Sequence, residues 1–171
     1  MKKILVVVDM QNDFISGVLG TPEAKSIVPK VKEFIDNYDG DIVYTQDTHY
    51  ENNYLETQEG KNLPIKHCIK YTEGWEICKE LEPFKSDDIS YKASFGSPDL
   101  AERIADYMYD QVDIVGLCTD ICVIVNAMTI KTFAKEAVIN VHKNLCAGTT
   151  IENHEIALKA MSNCQINIVE D

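Results

Sequence analysis

Asp9, Lys92 and Cys122 each stand just beyond a separate apolar segment. Together they offer what a thiol hydrolase needs: a nucleophile, a proton acceptor and a cation. A free thiol is mostly protonated at neutral pH and attacks only as the thiolate. Cys122 lies in VDIVGLCTDIC, where an apolar run passes through a short polar turn into a helical pattern beginning near Ile121. A helix start presents unpaired N–H groups and a partial positive charge, which stabilise a thiolate. Lys92 would add positive charge, and Asp9 would take the thiol proton and later hand it to a leaving group. Gly116 and the turn at residues 117–120 allow backbone amides to converge on an oxyanion. Each residue also has a plainer reading: Cys122 as buried packing, Asp9 as a cap for the following turn, Lys92 as a loop cation. Their shared position favours chemistry, because open parallel sheets bind ligands beyond the carboxyl ends of their strands. Cys118 shares the turn and is either the rival thiol or a wall residue; Cys78 and Cys164 read as packing.

A second group of residues has metal-ligand chemistry. Asp47-Thr48-His49 puts a carboxylate and an imidazole two apart, on one side of an extended segment, and His67 could fold back to join them. Two imidazoles and a carboxylate suit Zn²⁺ first, with Fe²⁺ or Mn²⁺ as alternatives. Three protein ligands would leave positions open for water or substrate. Surface histidines without a metal are the plainer reading. His142 and His154 read as structural or surface residues.

Short β-branched runs at residues 4–8, 42–44, 89–91, 112–115, 138–141 and 166–169 would position these groups. They scarcely alternate with polar residues, as expected of parallel strands covered on both faces. Between them, apolar spacing predicts helices over 26–37, 75–81, 100–109, 121–134 and 151–161, with Pro29 in the first turn of the first one. The alternation predicts an α/β domain over residues 1–171 with a six-stranded parallel sheet. The irregular stretch 46–72 holds both histidines of the metal group, and a loop of that length in a small domain points to function.

The chain's 171 residues suit one domain, and 45% hydrophobic with 26% charged content is ordinary for a soluble globular protein. Sixteen basic against twenty-eight acidic residues give a net charge of −12, which disfavours nucleic acid and anionic membrane as partners. A small anionic substrate stays compatible, since a local lysine or metal reverses the potential inside a pocket. No export signal is evident, and six cysteines without a close-set framework fit reduced thiols in a cytoplasm. A phospho-receiver would need an aspartate after the third strand, where this chain has Tyr91-Lys92.

Five segments resemble the isochorismatase-like cysteine hydrolases, and among these the nicotinamidases. They are VDMQNDF, DTH followed by LPIKHCIKYTEGWEI, YKASF, GLCTDICV and NLCAGTTIENHEIALKAM. The resemblance implies a three-layer α/β/α domain with strand order 3-2-1-4-5-6, commonly oligomeric. It implies Asp9, Lys92 and Cys122 as catalytic residues, and Asp47, His49 and His67 as ligands of one divalent metal. It further implies a cis peptide from Leu117 to Cys118, an oxyanion hole from the Cys118 and Cys122 amides, and Phe14 and Leu117 at the substrate. The expected reaction converts nicotinamide and water to nicotinate and ammonia. Alternatives are another small amide or carbamoyl compound, or a catalytically silent ligand-binding relative. The chain departs from nicotinamidases in having Cys118 where alanine is usual and Leu63-Pro64 where many have tryptophan. The segment running from Lys92 straight into Ser94-Phe95 is short. An aromatic sandwich for a pyridine ring would then need Trp75, Tyr54 or Tyr91 for its missing face.

Overall fold

The computed structural model describes residues 1–170. Six parallel strands form one sheet in the order β3-β2-β1-β4-β5-β6, with β1 Lys3–Val8, β2 Asp41–Asp47, β3 Ile89–Lys92, β4 Gln111–Leu117, β5 Val138–Ala147 and β6 Asn167–Val169. The strand interiors are apolar on both sides because both faces are covered. Ile4, Val6 and Val8 pack with Leu100, Ile104, Ala127, Ile130 and Leu158, while Leu5 and Val7 pack with Ile27, Val31 and Ile35. Helices α4 (Pro98–Asp106), α5 (Ile124–Phe133) and α6 (Ile151–Asn163) therefore lie on one face, and α2 (Pro22–Asn37) lies on the other. Leu5, Val6 and Val7 are wholly buried, each contributing about 1.5–3 kcal/mol of transfer free energy. Among the described residues, no helix is long and apolar enough to cross a membrane.

Order, parallel pairing and layering agree with the sequence reading; three local expectations do not. Helix α2 starts at Pro22, which takes the first-turn role, with the Thr21 hydroxyl accepting from the Ala24 N–H at 3.0 Å. Pro29 consequently lies inside the helix, which continues to Asn37 held by its buried face of Ile27, Val28, Val31 and Ile35. Residues 75–81 do not form an α-helix; only Lys79–Leu81 makes a 3₁₀ turn. Tertiary partners take that backbone instead. The Trp75 carbonyl accepts from the side-chain amides of Gln11 and Gln46, Ile77 bridges Gln11, and the Cys78 N–H donates to the Met10 carbonyl. The stretch 46–72 is not wholly irregular, holding a 3₁₀ turn at Tyr54–Glu56 and a short helix α3 at Gln58–Asn62. The remaining short helix, α1, spans Asn12–Ile15.

Strand β4 ends in the feature that shapes the site. Gly116 has φ +118°, and a β-carbon there would fall 2.1 Å from the Val8 carbonyl oxygen. Only glycine accepts both the angle and the approach. The chain then passes a cis peptide between Leu117 and Cys118 and a wide π-type turn, Thr119–Val123, before α5 begins.

Candidate active site

Asp9, Lys92 and Cys122 meet at the carboxyl edge of the sheet, Lys92 as the last residue of β3 and Asp9 and Cys122 just after β1 and β4. Asp9 has φ +46°, a left-handed conformation that aspartate tolerates better than most residues. Thr45 on β2 fixes it twice, accepting from the Asp9 N–H at 3.1 Å and donating its hydroxyl to Oδ1 at 2.6 Å. Lys92 Nζ lies 2.6 Å from Asp9 Oδ2, 3.4 Å from Asp47 Oδ1 and 3.5 Å from Cys122 Sγ, and donates to the Ser94 carbonyl at 3.1 Å. All three principal groups are buried.

The charges act together. Burial disfavours the Lys92 ammonium, but Asp9, Cys122 and Asp47 outweigh it and hold the amine protonated well above its usual range. Burial raises the Asp9 carboxyl against the opposing pull of Lys92, with Asp47 adding to the rise. A carboxylate made more basic in this way is a better proton acceptor at neutral pH. Burial also pushes the Cys122 thiol up; Asp9 reinforces this and Lys92 opposes it. Burial thus favours the Cys122 thiol over the helix-stabilised thiolate expected from the sequence. Burial and the neighbouring Asp9 account for the difference, and Cys122 lies in the π-type turn, short of α5 itself.

Asp47, His49 and His67 also converge, joined by a group the sequence reading missed. Ligand atoms of Asp47, His49, Glu59 and His67 all lie within 4.8 Å of one another. His49 Nε2 is 2.9 Å from Asp47 Oδ2 and 3.4 Å from Glu59 Oε1; His67 Nε2 is 3.7 and 3.4 Å from the same oxygens. His67 Nδ1 meets the Ile65 carbonyl at 2.8 Å, which turns Nε2 toward the cluster, as surrounding hydrogen bonds commonly do for metal-binding imidazoles. Gln11 fixes Asp47 through both peptide groups: Oε1 accepts from its N–H and Nε2 donates to its carbonyl, each at 2.8 Å. Glu59 arrives on α3, where Thr57 caps the Gly60 N–H and Gly60 permits an approach to Tyr54 that a β-carbon would block at 2.0 Å.

Burial works against a charged His49, yet hydrogen bonds to Asp47 and Glu59 raise its pKa to about 9. Burial likewise works against the Glu59 carboxylate, but His49 and His67 hold it at about 2. The cluster thus draws positive charge between its two carboxylates. Two imidazoles and two carboxylates fit a divalent ion of the Zn²⁺, Fe²⁺ or Mn²⁺ type. The chain offers four donors, one more than the sequence reading counted.

Cys122 and the four residues of the carboxylate–imidazole cluster, Asp47, His49, Glu59 and His67, line one cavity of about 780 Å³, with Asp9 and Lys92 behind its wall. Phe14, Leu19, Leu63, Phe95 and Ile121 supply its apolar surface, and Cys118 lines it too. Leu117 does not line it: the side chain is fully buried in the core, leaving its cis peptide as the part nearest the site. The aromatic expectations are also corrected. Tyr54 packs on His49 and His67 at 4.9 and 5.3 Å between centroids and donates its hydroxyl to the Leu63 carbonyl. Trp75 stacks on Tyr91 at 6.0 Å and donates its indole N–H to Thr48. None of these three lines the cavity; Phe95 joins Phe14 there instead. Of the remaining cysteines, Cys78 is buried as expected, whereas Cys164 is exposed. His142 is buried against Asp113 at 3.1 Å, and His154 meets the Thr119 hydroxyl at 2.8 Å, so both are structural.

Comparison with known proteins agrees with this geometry. Residues 3–170 match the isochorismatase domain family. An uncharacterized isochorismatase family protein, PncA, of Bacillus subtilis is 30% identical over 95% of this chain and 96% of its own. The nicotinamidase/pyrazinamidase of Mycobacterium tuberculosis is 26% identical over 98% of each chain. The zinc complex of Pyrococcus horikoshii pyrazinamidase superposes with a TM-score of 0.84 at 28% identity, covering 100% of both chains. With a buried cysteine in the matching fold and a carboxylate–imidazole cluster on the same cavity, the chain belongs to the isochorismatase family, as a cysteine hydrolase related to the nicotinamidases.

Proposed function

We propose that this protein hydrolyses a small aromatic carboxamide, nicotinamide in the first instance, to the carboxylic acid and ammonia through a thioester on Cys122. One observation carries the reading: a single buried ammonium, Lys92 Nζ, lies within 3.5 Å of Asp9, Asp47 and Cys122 atoms together, directly behind the wall on which Cys122 and the metal-type cluster face the cavity. Asp9 takes the thiol proton as Cys122 Sγ bonds to the amide carbon. The Cys118 and Cys122 amides receive the oxyanion, an arrangement whose individual donors are typically worth about 3–4 kcal/mol. As the C–N bond breaks, Asp9 returns the proton to nitrogen and ammonia leaves. Asp9 then deprotonates a water that attacks the thioester, releasing the acid and restoring the thiol. Lys92 keeps the carboxylate and developing thiolate compatible with burial throughout. Phe14 and Phe95 offer apolar faces for the ring.

Asp47, His49, Glu59 and His67 would hold the divalent metal, zinc before iron or manganese. When bound, the ion supplies a Lewis-acid centre for a lone pair of the substrate. We extend the same reading to a cytoplasmic homo-oligomer; the thiols of Cys68, Cys78, Cys118 and Cys122 carry no disulfide, as suits a reducing compartment. The test is ammonia release from nicotinamide by metal-loaded protein, with Cys122→Ala as control. A cavity of about 780 Å³ has the size of a drug-sized ligand site, so a second amide or carbamoyl substrate is the alternative. Release of ammonia from such a compound but not from nicotinamide selects it.

A further inference from the structure

Asn126 is fully buried on α5, one helical turn beyond Cys122, and all its polar atoms are committed to the site's surroundings. Its Nδ2 donates to the Cys122 carbonyl at 2.8 Å and the Phe95 carbonyl at 3.1 Å, while Oδ1 accepts from the Ser97 N–H at 3.0 Å. Two carbonyls on one end and an amide on the other fix the orientation of the side chain. The segment it grips is the short run after β3. Within that run the Ser94 carbonyl accepts from Lys92 Nζ, Phe95 lines the cavity, and the Ser97 hydroxyl caps α4 through the Leu100 N–H.

We infer that Asn126 is a positioning residue that locks the Lys92–Phe95 segment to the turn carrying Cys122, setting both the Lys92–Cys122 separation and the placement of the Phe95 wall. The chain needs such a lock because β3 and β4 are not neighbours in the sheet; β2 and β1 lie between them. No backbone ladder joins the lysine's strand to the nucleophile's strand, so their end-loops require another tie. An asparagine supplies two donors and an acceptor in one rigid plane. A threonine at this position could only bond back to the carbonyl four residues earlier, which is Cys122.

Asn126→Thr therefore separates the two halves of the lock, keeping the link to Cys122 and losing the link to the loop. The proton equilibrium of Cys122 faces Asp9, Lys92 and Asp47, so alkylation is followed as a function of pH on metal-loaded protein, where the charge around Asp47 is the same in every variant. Folded Asn126→Thr should alkylate with iodoacetamide about ten-fold more slowly at neutral pH, its profile displaced upward by about one unit. With an amide substrate, kcat should fall and KM rise together, since Lys92 and Phe95 both shift. Wild-type alkylation and kinetics in a folded Asn126→Thr protein would overturn the inference, as would a lowered melting temperature with an unmoved pH profile. Should the threonine variant not fold, the uncharged Asn126→Ser likewise keeps only the bond back to the Cys122 carbonyl; the same displacement is expected and its absence has the same force. The proposal rests on the cysteine-hydrolase reading only for the role of Cys122. Alkylation needs no substrate, so a wild type inactive on every amide would sink that reading while leaving this test intact.

Discussion

Replacing Lys92 by methionine keeps the stem and removes the charge. At an effective dielectric of about 20, a unit charge 3.5 Å from the sulfur stabilises a thiolate by about 5 kcal/mol. The loss would not fall on Cys122 alone. Asp9, only 2.6 Å from the ammonium, loses a larger attraction and is already raised by burial. It should therefore hold its proton at neutral pH. A neutral Asp9 relieves part of the penalty on the thiolate but can no longer serve as base, and general-base catalysis is typically worth about 10²–10⁴-fold. Lys92→Met should thus lose about 10³-fold in kcat for ammonia release while remaining folded. The stability signs also differ. In the wild type, the raised Lys92 pKa gives a contribution that is full below the unfolded amine value and lost only in strong alkali. In the variant, a raised Asp9 pKa makes stability fall as pH climbs from the unfolded carboxyl value toward the folded one. Urea unfolding should find the variant less stable at pH 8 than at pH 5. Activity within ten-fold of wild type, or stability unchanged between those pH values, would refute the charge arrangement.

Glu59→Gln should weaken metal binding by about ten- to a hundred-fold, read as metal retained per chain against a chelator of known affinity. Asp113 is buried, and burial alone would raise its carboxyl; hydrogen bonds from His142, Asn140, Tyr38 and Gln111 instead hold it at about 2. That depression contributes about 2 kcal/mol above the unfolded value, lost as pH falls through the folded one. Asp113→Asn should be less stable by that amount at pH 7, with the gap to wild type closing toward pH 2 in denaturant titrations. Gly116→Ala puts a methyl 2.1 Å from the Val8 carbonyl at a positive φ; a loss of at least about 2–3 kcal/mol is expected by thermal unfolding. Phe95→Ala should raise KM about ten-fold through lost apolar contact, with a smaller change in kcat in steady-state ammonia assays.

The sheet was legible because both its faces are covered: Ile4–Val8-type runs carry a clear apolar signal whatever their neighbours. The candidate catalytic positions followed from it, since Asp9, Lys92 and Cys122 each sit at or shortly after the end of an apolar run. What escaped depended on long-range partners. Trp75, Ile77 and Cys78 have helical spacing, but Gln11, Gln46 and Met10 claim their backbone groups. Glu59 belongs to QEGKN, a helix without an apolar stripe, and its distance along the chain from His49 follows no ligand spacing. Phe95 stood within the YKASF segment, yet its place on the cavity wall depends on where Asn126 holds the following loop. Pro29 was misplaced because the polar first turn of α2 hides its true start at Pro22.

The main-chain pairing of β1 with β2 stops at Val7 and Tyr44, and beyond that rung side chains take over the links between the two strand ends. Gln11 spans the gap, its side-chain amide bonding the Asp47 peptide on both sides as a backbone neighbour would. The link between these two strand ends is thus as long as a side chain of two methylenes allows. Shortening that strut to asparagine would leave its amide unable to reach both groups, and the two aspartates at the strand ends would no longer keep a common frame.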